Sequence, residues 1–113
     1  MRLTNMSHSL SAAAKAALEE MVGETVEEIV IPVQFDTDAP LRPQFDALLD
    51  DHRAELWGMD LFIPPAFAPA AAYITARLSY AQSDAMLPVP PDMVVLRREG
   101  TPPQFVPAEI LRG

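Results

Sequence analysis

The sequence predicts one small layered domain of the α/β or α+β class, with the element order α-β-α-β-α-β-β and a C-terminal hairpin. Two observations support this fold class. Apolar residues recur in turn at the spacing of helices and at the alternating spacing of strands. Prolines and glycines separate these segments. We take residues 1–113 as a single domain with a modest core, and we expect residues 1–8 to be a frayed N-terminus.

The first helix is predicted over residues 9–22. Gly23 follows at the position where helices commonly end on a left-handed glycine, and a nearby serine suits the N-cap. The candidate caps are Ser7, Ser9 and Ser11. The apolar stripe expected to face the core consists of Leu10, Ala14, Ala17, Leu18 and Met21.

The first strand is predicted within residues 25–36, where Ile29, Ile31 and Val33 alternate with residues of the opposite face. Pro32 has no N–H group to donate to a neighbouring strand. We therefore expect this strand at a sheet edge or at a bulge.

A second helix is predicted from Pro43 to Trp57, and a short apolar strand from Met59 to Ile63. The helix face expected to be buried comprises Phe45, Leu48, Leu49, His52 and Leu56. The acidic residues off this face are Asp46, Asp50, Asp51 and Glu55. A strand, a helix and another strand in close succession predict a right-handed parallel crossover.

The last part of the chain predicts a third helix over 69–83 and an extended, polyproline-like segment over 86–91. A hairpin should follow, with strands at 93–97 and 104–111 around a turn that contains Gly100. Because this final strand carries prolines at its start and in its middle, we expect it at a second sheet edge.

The net charge of −8 comes entirely from the first half of the chain. Residues 1–60 contain twelve acidic and four basic residues, whereas residues 61–113 contain four of each. Three of the arginines in the second half lie close to the C-terminus: Arg97, Arg98 and Arg112. The folded domain should therefore have an acidic end and a mildly basic end, which permits a basic protein partner or a second copy of the chain.

Composition excludes several classes of function. The chain has no cysteine, which rules out structural disulfides, thiolate catalysis and thiolate metal sites. Acidic net charge opposes direct binding to nucleic-acid phosphates and to anionic lipid. The longest uncharged run, residues 61–76, is too short to span a bilayer, and the N-terminus shows no signal-peptide core. We expect no cofactor, no membrane segment, and a location in the cytoplasm or in an assembled particle.

Two groups of residues are predicted to form a protein interface, because tyrosine, arginine and other aromatic residues are enriched at binding hot spots. The group on the third helix is Tyr73, Arg77 and Tyr80. The group on the hairpin is Arg97, Arg98, Phe105 and Arg112. For the two tyrosines the alternative is packing at the margin of the core, with their hydroxyl groups in water.

Two clusters resemble sites of metal or acid–base chemistry. Asp36 and Asp38 follow a strand, where ligand sites occur in parallel sheets, and could hold Mg²⁺ or supply a nucleophile. We favour the alternative that Thr37 or Asp38 caps the turn before the second helix. His52 has acidic neighbours along its helix, but we favour a partly buried, hydrogen-bonded histidine over a metal ligand.

Three functional hypotheses follow. The first is a protein without enzymatic activity that associates with itself, head to tail, or docks into a larger complex such as a viral particle or a secretion machine. The second is a small acidic regulator or inhibitor, of the antitoxin, immunity-protein or nuclease-inhibitor type, that binds a basic protein surface. The third is a metal-dependent phosphohydrolase that uses Asp36 and Asp38. We favour the first for three reasons: the charge asymmetry, the two edge strands marked by prolines, and the lack of the residues that catalysis would need.

Overall fold

The structure of the protein, a computed structural model, describes residues 1–56, 58–83 and 92–112, without the side chains of 79–83. Its elements are β1 (Arg2–Asn5), α1 (Ala12–Val22), β2 (Glu27–Val30), α2 (Leu41–Asp51), α3 (Arg53–Leu56), β3 (Leu61–Ile63), α4 (Ala68–Ser83), β4 (Asp92–Glu99) and β5 (Gln104–Leu111). The predicted layered α/β class is confirmed. The predicted segment 86–91 and Trp57 lie outside the described residues.

The five strands form one mixed sheet in the order β2-β1-β3-β4-β5. Four of them are parallel, and β5 pairs antiparallel with β4 in the predicted hairpin. The strands β2 and β5 are the two edges, as the prolines near or within them predicted. β2 stops at Val30, two residues before Pro32, because proline cannot continue the ladder of hydrogen bonds.

The expectation of a frayed N-terminus is wrong, because residues 2–5 form β1, which lies between β2 and β3. Leu3, Thr4, Asn5 and Met6 are all fully buried. This strand escaped the sequence analysis because three of its four residues, Arg2, Thr4 and Asn5, are polar or charged. It is stabilised by hydrogen bonds and packing from distant segments on both sides, which no local pattern records.

Helices cover both faces of the sheet. On one face α1 packs through Leu18 against Leu3, Leu61 and Val94. On the other face α2, α3 and α4 pack around Met6 and Phe62. Right-handed crossovers require this arrangement, because the chain moves from β1 to one side to make β2 and then to the other side to make β3 and β4.

The predicted ends of α1 are confirmed in part. The Ser11 hydroxyl accepts a hydrogen bond from the Ala14 N–H at 3.1 Å, and Gly23 closes the helix with φ 78°. Met21, however, was placed on the buried stripe and is 43 % exposed. Val22 packs against the core instead, so the packing of the helix on the sheet, and not the sequence spacing alone, selects the buried residues.

The helix predicted over 43–57 is two helices, since α2 ends at Asp51 and His52 leaves the helical conformation (φ −117°, ψ 27°) before α3. Phe45 and Leu56 are buried as predicted, and both contribute to the core under α4. Leu48 and Leu49 are only half-buried and pack at the margin of that core.

Candidate functional site

The β4–β5 hairpin places Arg97 and Arg98 on opposite faces, because successive side chains of a strand point in opposite directions. Arg98 pairs in register with Phe105, and its guanidinium carbon lies 6.0 Å from the centre of the Phe105 ring. Phe105 is 48 % exposed. The hairpin therefore presents an exposed aromatic ring with a cation held over it, a pairing that suits protein contacts.

The other two arginines of the predicted group are neutralised by nearby acids. Arg97 Nη2 lies 2.7 Å from Glu99 Oε2, and Arg112 Nη1 lies 2.8 Å from Asp92 Oδ2. Exposed ion pairs of this kind contribute little to stability, but they remove net charge from the surface around them. Within the described ranges Arg98 has no such acidic contact, so the basic character of the hairpin is concentrated there.

A cavity of about 210 Å³, here called the hairpin cavity, lies between the hairpin and the loop from β1 to α1. Leu10, Leu96 and Phe105 supply its apolar walls. Its polar lining consists of Ser7, His8, Ser9, Ser11 and Gln104. The cavity therefore offers room for one apolar side chain beside the exposed ring and the free cation of the hairpin.

The loop that borders this cavity is fixed by two side chains that the sequence analysis did not single out. The Asn5 side chain accepts the Ser7 N–H at 2.8 Å and donates to the His8 carbonyl at 2.9 Å. It also donates to Glu28 Oε2 at 2.8 Å, and the same oxygen accepts the Leu10 N–H at 2.9 Å. The cluster of serines before the first helix was the one sequence signal for a structured loop here.

The opposite end of α1 carries apolar and acidic side chains together. Met21 is exposed in the last turn, and its neighbour Glu20 is also exposed. Glu24, just after the helix, lies 3.2 Å from the N-terminal amino group. The helix has 11 residues, so roughly 16 Å separate its two ends. An acid-flanked methionine and an arginine-flanked cavity thus lie at opposite ends of one helix.

The group predicted on the third helix does not join the hairpin group. Tyr73 donates a 2.6 Å hydrogen bond to Asp46 Oδ1, and its ring centre lies 5.5 Å from that of Phe45. It therefore packs at the margin of the core and links α4 to α2, with its hydroxyl bound to a carboxylate. Arg77 is exposed, and the side chain of Tyr80 lies outside what the structure describes.

Asp36 and Asp38 are exposed and form a turn, in which Asp36 Oδ1 accepts the Asp38 N–H at 2.9 Å. The predicted helix cap is wrong, because α2 begins after Pro40 without a side-chain cap. Gln44 instead reaches back from the first turn and donates to the carbonyls of Pro40 and Asp36, at 2.9 Å each. Across the described residues, no three histidine or acidic side chains are grouped so that they could hold a metal ion.

His52 is half-buried, as predicted, but its buried Nδ1 has no hydrogen-bond partner among the described residues. The nearest acidic oxygen, Glu55 Oε1, lies 3.6 Å from Nδ1, beyond hydrogen-bonding distance.

No helix within the described ranges combines the length and the hydrophobicity needed to cross a membrane. No protein-family model matches the sequence, and searches of curated proteins and of solved structures find no match.

Proposed function

We propose that this protein is a self-associating subunit whose copies join head to tail, with Met21 of one copy entering the hairpin cavity of the next. The observation that carries the proposal is the position of these two features at opposite ends of α1. An exposed methionine is an adaptable apolar anchor, and its sulfur packs favourably against an aromatic ring such as that of Phe105.

Charge favours the same contact. Glu20 is next to Met21 in sequence, and Arg98 lies over the ring of Phe105, which lines the cavity, so the joined ends bring opposite charges together. The carboxyl end of α1, with its partial negative charge, would also approach the amino end of α1 in the next copy. The paired arginines Arg97 and Arg112 contribute less, because nearby acids already neutralise them.

A contact between different surfaces of identical copies repeats, and it produces a closed ring or an open filament. The edge strands themselves do not suit this role. β2 has four residues and β5 contains Pro107, both features that protect sheet edges from pairing. The same proposal includes docking of such an assembly into a larger complex. It also includes a location in the cytoplasm or in a particle, and the lack of enzymatic activity.

A second candidate is an acidic regulator that covers a basic protein surface. It is supported by the exposed acids near the β2 edge, Glu20, Glu24 and Glu27, and by the net charge of −8. This candidate expects a monomer whose capture of a basic protein weakens steeply with salt.

The experiment is sedimentation velocity of the full chain over a range of protein and salt concentrations. Met21→Asp and Arg98→Glu should each shift the protein to monomers, because each removes one side of the contact. Arg97→Glu is the matched control: it makes the same change in net charge on the other face of the hairpin and should leave assembly nearly unchanged. Glu20→Arg combined with Arg98→Glu should restore assembly by exchanging the two charges.

Two results would contradict self-association. One is a wild-type chain that stays monomeric at every concentration and salt tested. The other is equal weakening by Arg97→Glu and Arg98→Glu, which would show that net charge alone, and not the hairpin cavity, controls association.

A further inference from the structure

A second cavity lies at the carboxyl ends of β1 and β3, where the segments that follow these two strands leave the sheet toward opposite faces. After β1 the chain turns to α1 on one face, and after β3 it turns to α4 on the other face. In open parallel sheets this divergence creates the crevice in which ligands bind. We call the cavity the switch-point crevice; its volume is about 470 Å³, within the range of small-molecule sites.

Three chain segments supply the walls of the switch-point crevice. Ser7 and His8 come from the loop after β1, and Phe35 and Thr37 from the segment after β2. Phe67 comes from the segment after β3. Residues far apart in sequence therefore converge on one crevice only because β1 lies between β2 and β3 in the sheet.

One wall of the crevice is held in place before any ligand arrives. The side chain of the fully buried Asn5 forms hydrogen bonds with the Ser7 N–H, the His8 carbonyl and the Glu28 carboxylate. A buried amide in a central strand is costly unless its bonds are made, and here two of them fix the loop that carries Ser7 and His8. A fixed wall lowers the entropy lost on binding, which favours a specific small ligand.

The lining defines the chemistry of that ligand. The rings of Phe35 and Phe67 lie 6.1 Å apart, are tilted by 38°, and are both half-buried, so they form an apolar wall suited to a flat ring. Ser7, His8 and Thr37 supply hydrogen-bonding groups. Neither lysine nor arginine lines the crevice, and Asp36 and Asp38 are exposed close by in sequence, which disfavours an anion.

We propose that the switch-point crevice binds a small uncharged heteroaromatic molecule, with its ring against Phe35 and Phe67 and its polar edge toward Ser7, His8 and Thr37. This proposal does not depend on self-association, because the two cavities share only Ser7 and His8 and the crevice uses neither Met21 nor Arg98.

The test is a titration of the isotope-labelled full chain, followed by amide chemical shifts, with three probes of similar size. Nicotinamide is the uncharged flat probe, nicotinate is its anionic counterpart, and cyclohexanecarboxamide is its saturated counterpart. We expect saturable shifts at Ser7, His8 and Thr37 with nicotinamide, and affinities at least about fivefold weaker for the other two.

Variants locate the binding. Phe67→Leu keeps an apolar side chain but removes the flat ring, and Thr37→Val removes one hydroxyl from an exposed position that the fold does not need. Both should weaken nicotinamide binding about threefold or more. Leu111→Ala is the control, since it truncates an exposed apolar side chain that lines neither cavity, and it should leave nicotinamide binding unchanged.

Three results would overturn the proposal. The first is that nicotinamide produces no saturable shifts at millimolar concentration, or only shifts at residues that line the hairpin cavity alone, such as Gln104 and Phe105. The second is tighter binding of nicotinate, which would mark an anion site. The third is nicotinamide binding that is unchanged in both Thr37→Val and Phe67→Leu. If Phe67→Leu does not fold, unchanged binding in Thr37→Val is sufficient to overturn the proposal.

Discussion

Asn5 Nδ2 lies 2.8 Å from Glu28 Oε2, a hydrogen bond between the sheet interior and its edge strand. Because the same carboxylate oxygen accepts the Leu10 N–H, this one pair ties β1, β2 and the start of α1 together. It also holds the loop that separates the hairpin cavity from the switch-point crevice, since Ser7 and His8 line both.

Loss of the Glu28 carboxylate should therefore loosen this loop. We expect Glu28→Ala to reduce the free energy of unfolding by about 1–3 kcal/mol, because it leaves buried donors without an acceptor. Glu28→Gln keeps an acceptor oxygen and should cost clearly less. Urea unfolding measures the stability, and hydrogen exchange should be faster at the Leu10 amide in Glu28→Ala. An unchanged exchange rate at Leu10 would show that the loop does not depend on this bond.

Removal of the first six residues should abolish folding. The deletion takes away β1, with the fully buried Leu3, and the fully buried Met6 that follows it, and it leaves the facing edges of β2 and β3 unpaired. Circular dichroism should show no cooperative thermal transition. The full-length variant Arg2→Ala serves as a control for the loss of charge near the N-terminus and should still fold. A truncated chain with a cooperative transition would contradict the central position of β1.

The link between α4 and α2 should be measurable at Tyr73. Tyr73→Phe keeps the ring contact with Phe45 and removes only the hydrogen bond to Asp46, so we expect a loss of about 1 kcal/mol. Asp46→Ala should cost a similar amount. In the double variant the two losses should not add, because both remove the same bond. Additive losses, measured by urea unfolding, would show that the two groups act separately.

Asp36 and Asp38 should carry no metal-dependent activity. Replacement of both by asparagine preserves an acceptor for the Asp38-position N–H and should change stability by less than about 0.5 kcal/mol. Millimolar Mg²⁺ or Mn²⁺ should raise the melting temperature of neither the wild type nor this variant. A rise confined to the wild type would support the phosphohydrolase hypothesis instead.

The features that the sequence determined by itself are local. The Gly23 cap depends on the one residue type that adopts a positive φ without strain, and the edge positions of β2 and β5 depend on prolines that cannot donate to a neighbour. The hairpin and the separation of Arg97 from Arg98 follow from the period of a strand. Each of these needs information from only a few neighbouring residues, so each could be predicted.

The tertiary structure alone decided the rest. β1 forms because β2 and β3 pair with it from positions more than twenty residues away. Its short length and its polar residues do not predict a strand. Met21 is exposed, and Val22 packs, because of how α1 lies on the sheet. The two cavities join segments that only the strand order brings together. These features depend on long-range strand pairing and on packing, which the local spacing of residues in the sequence does not predict.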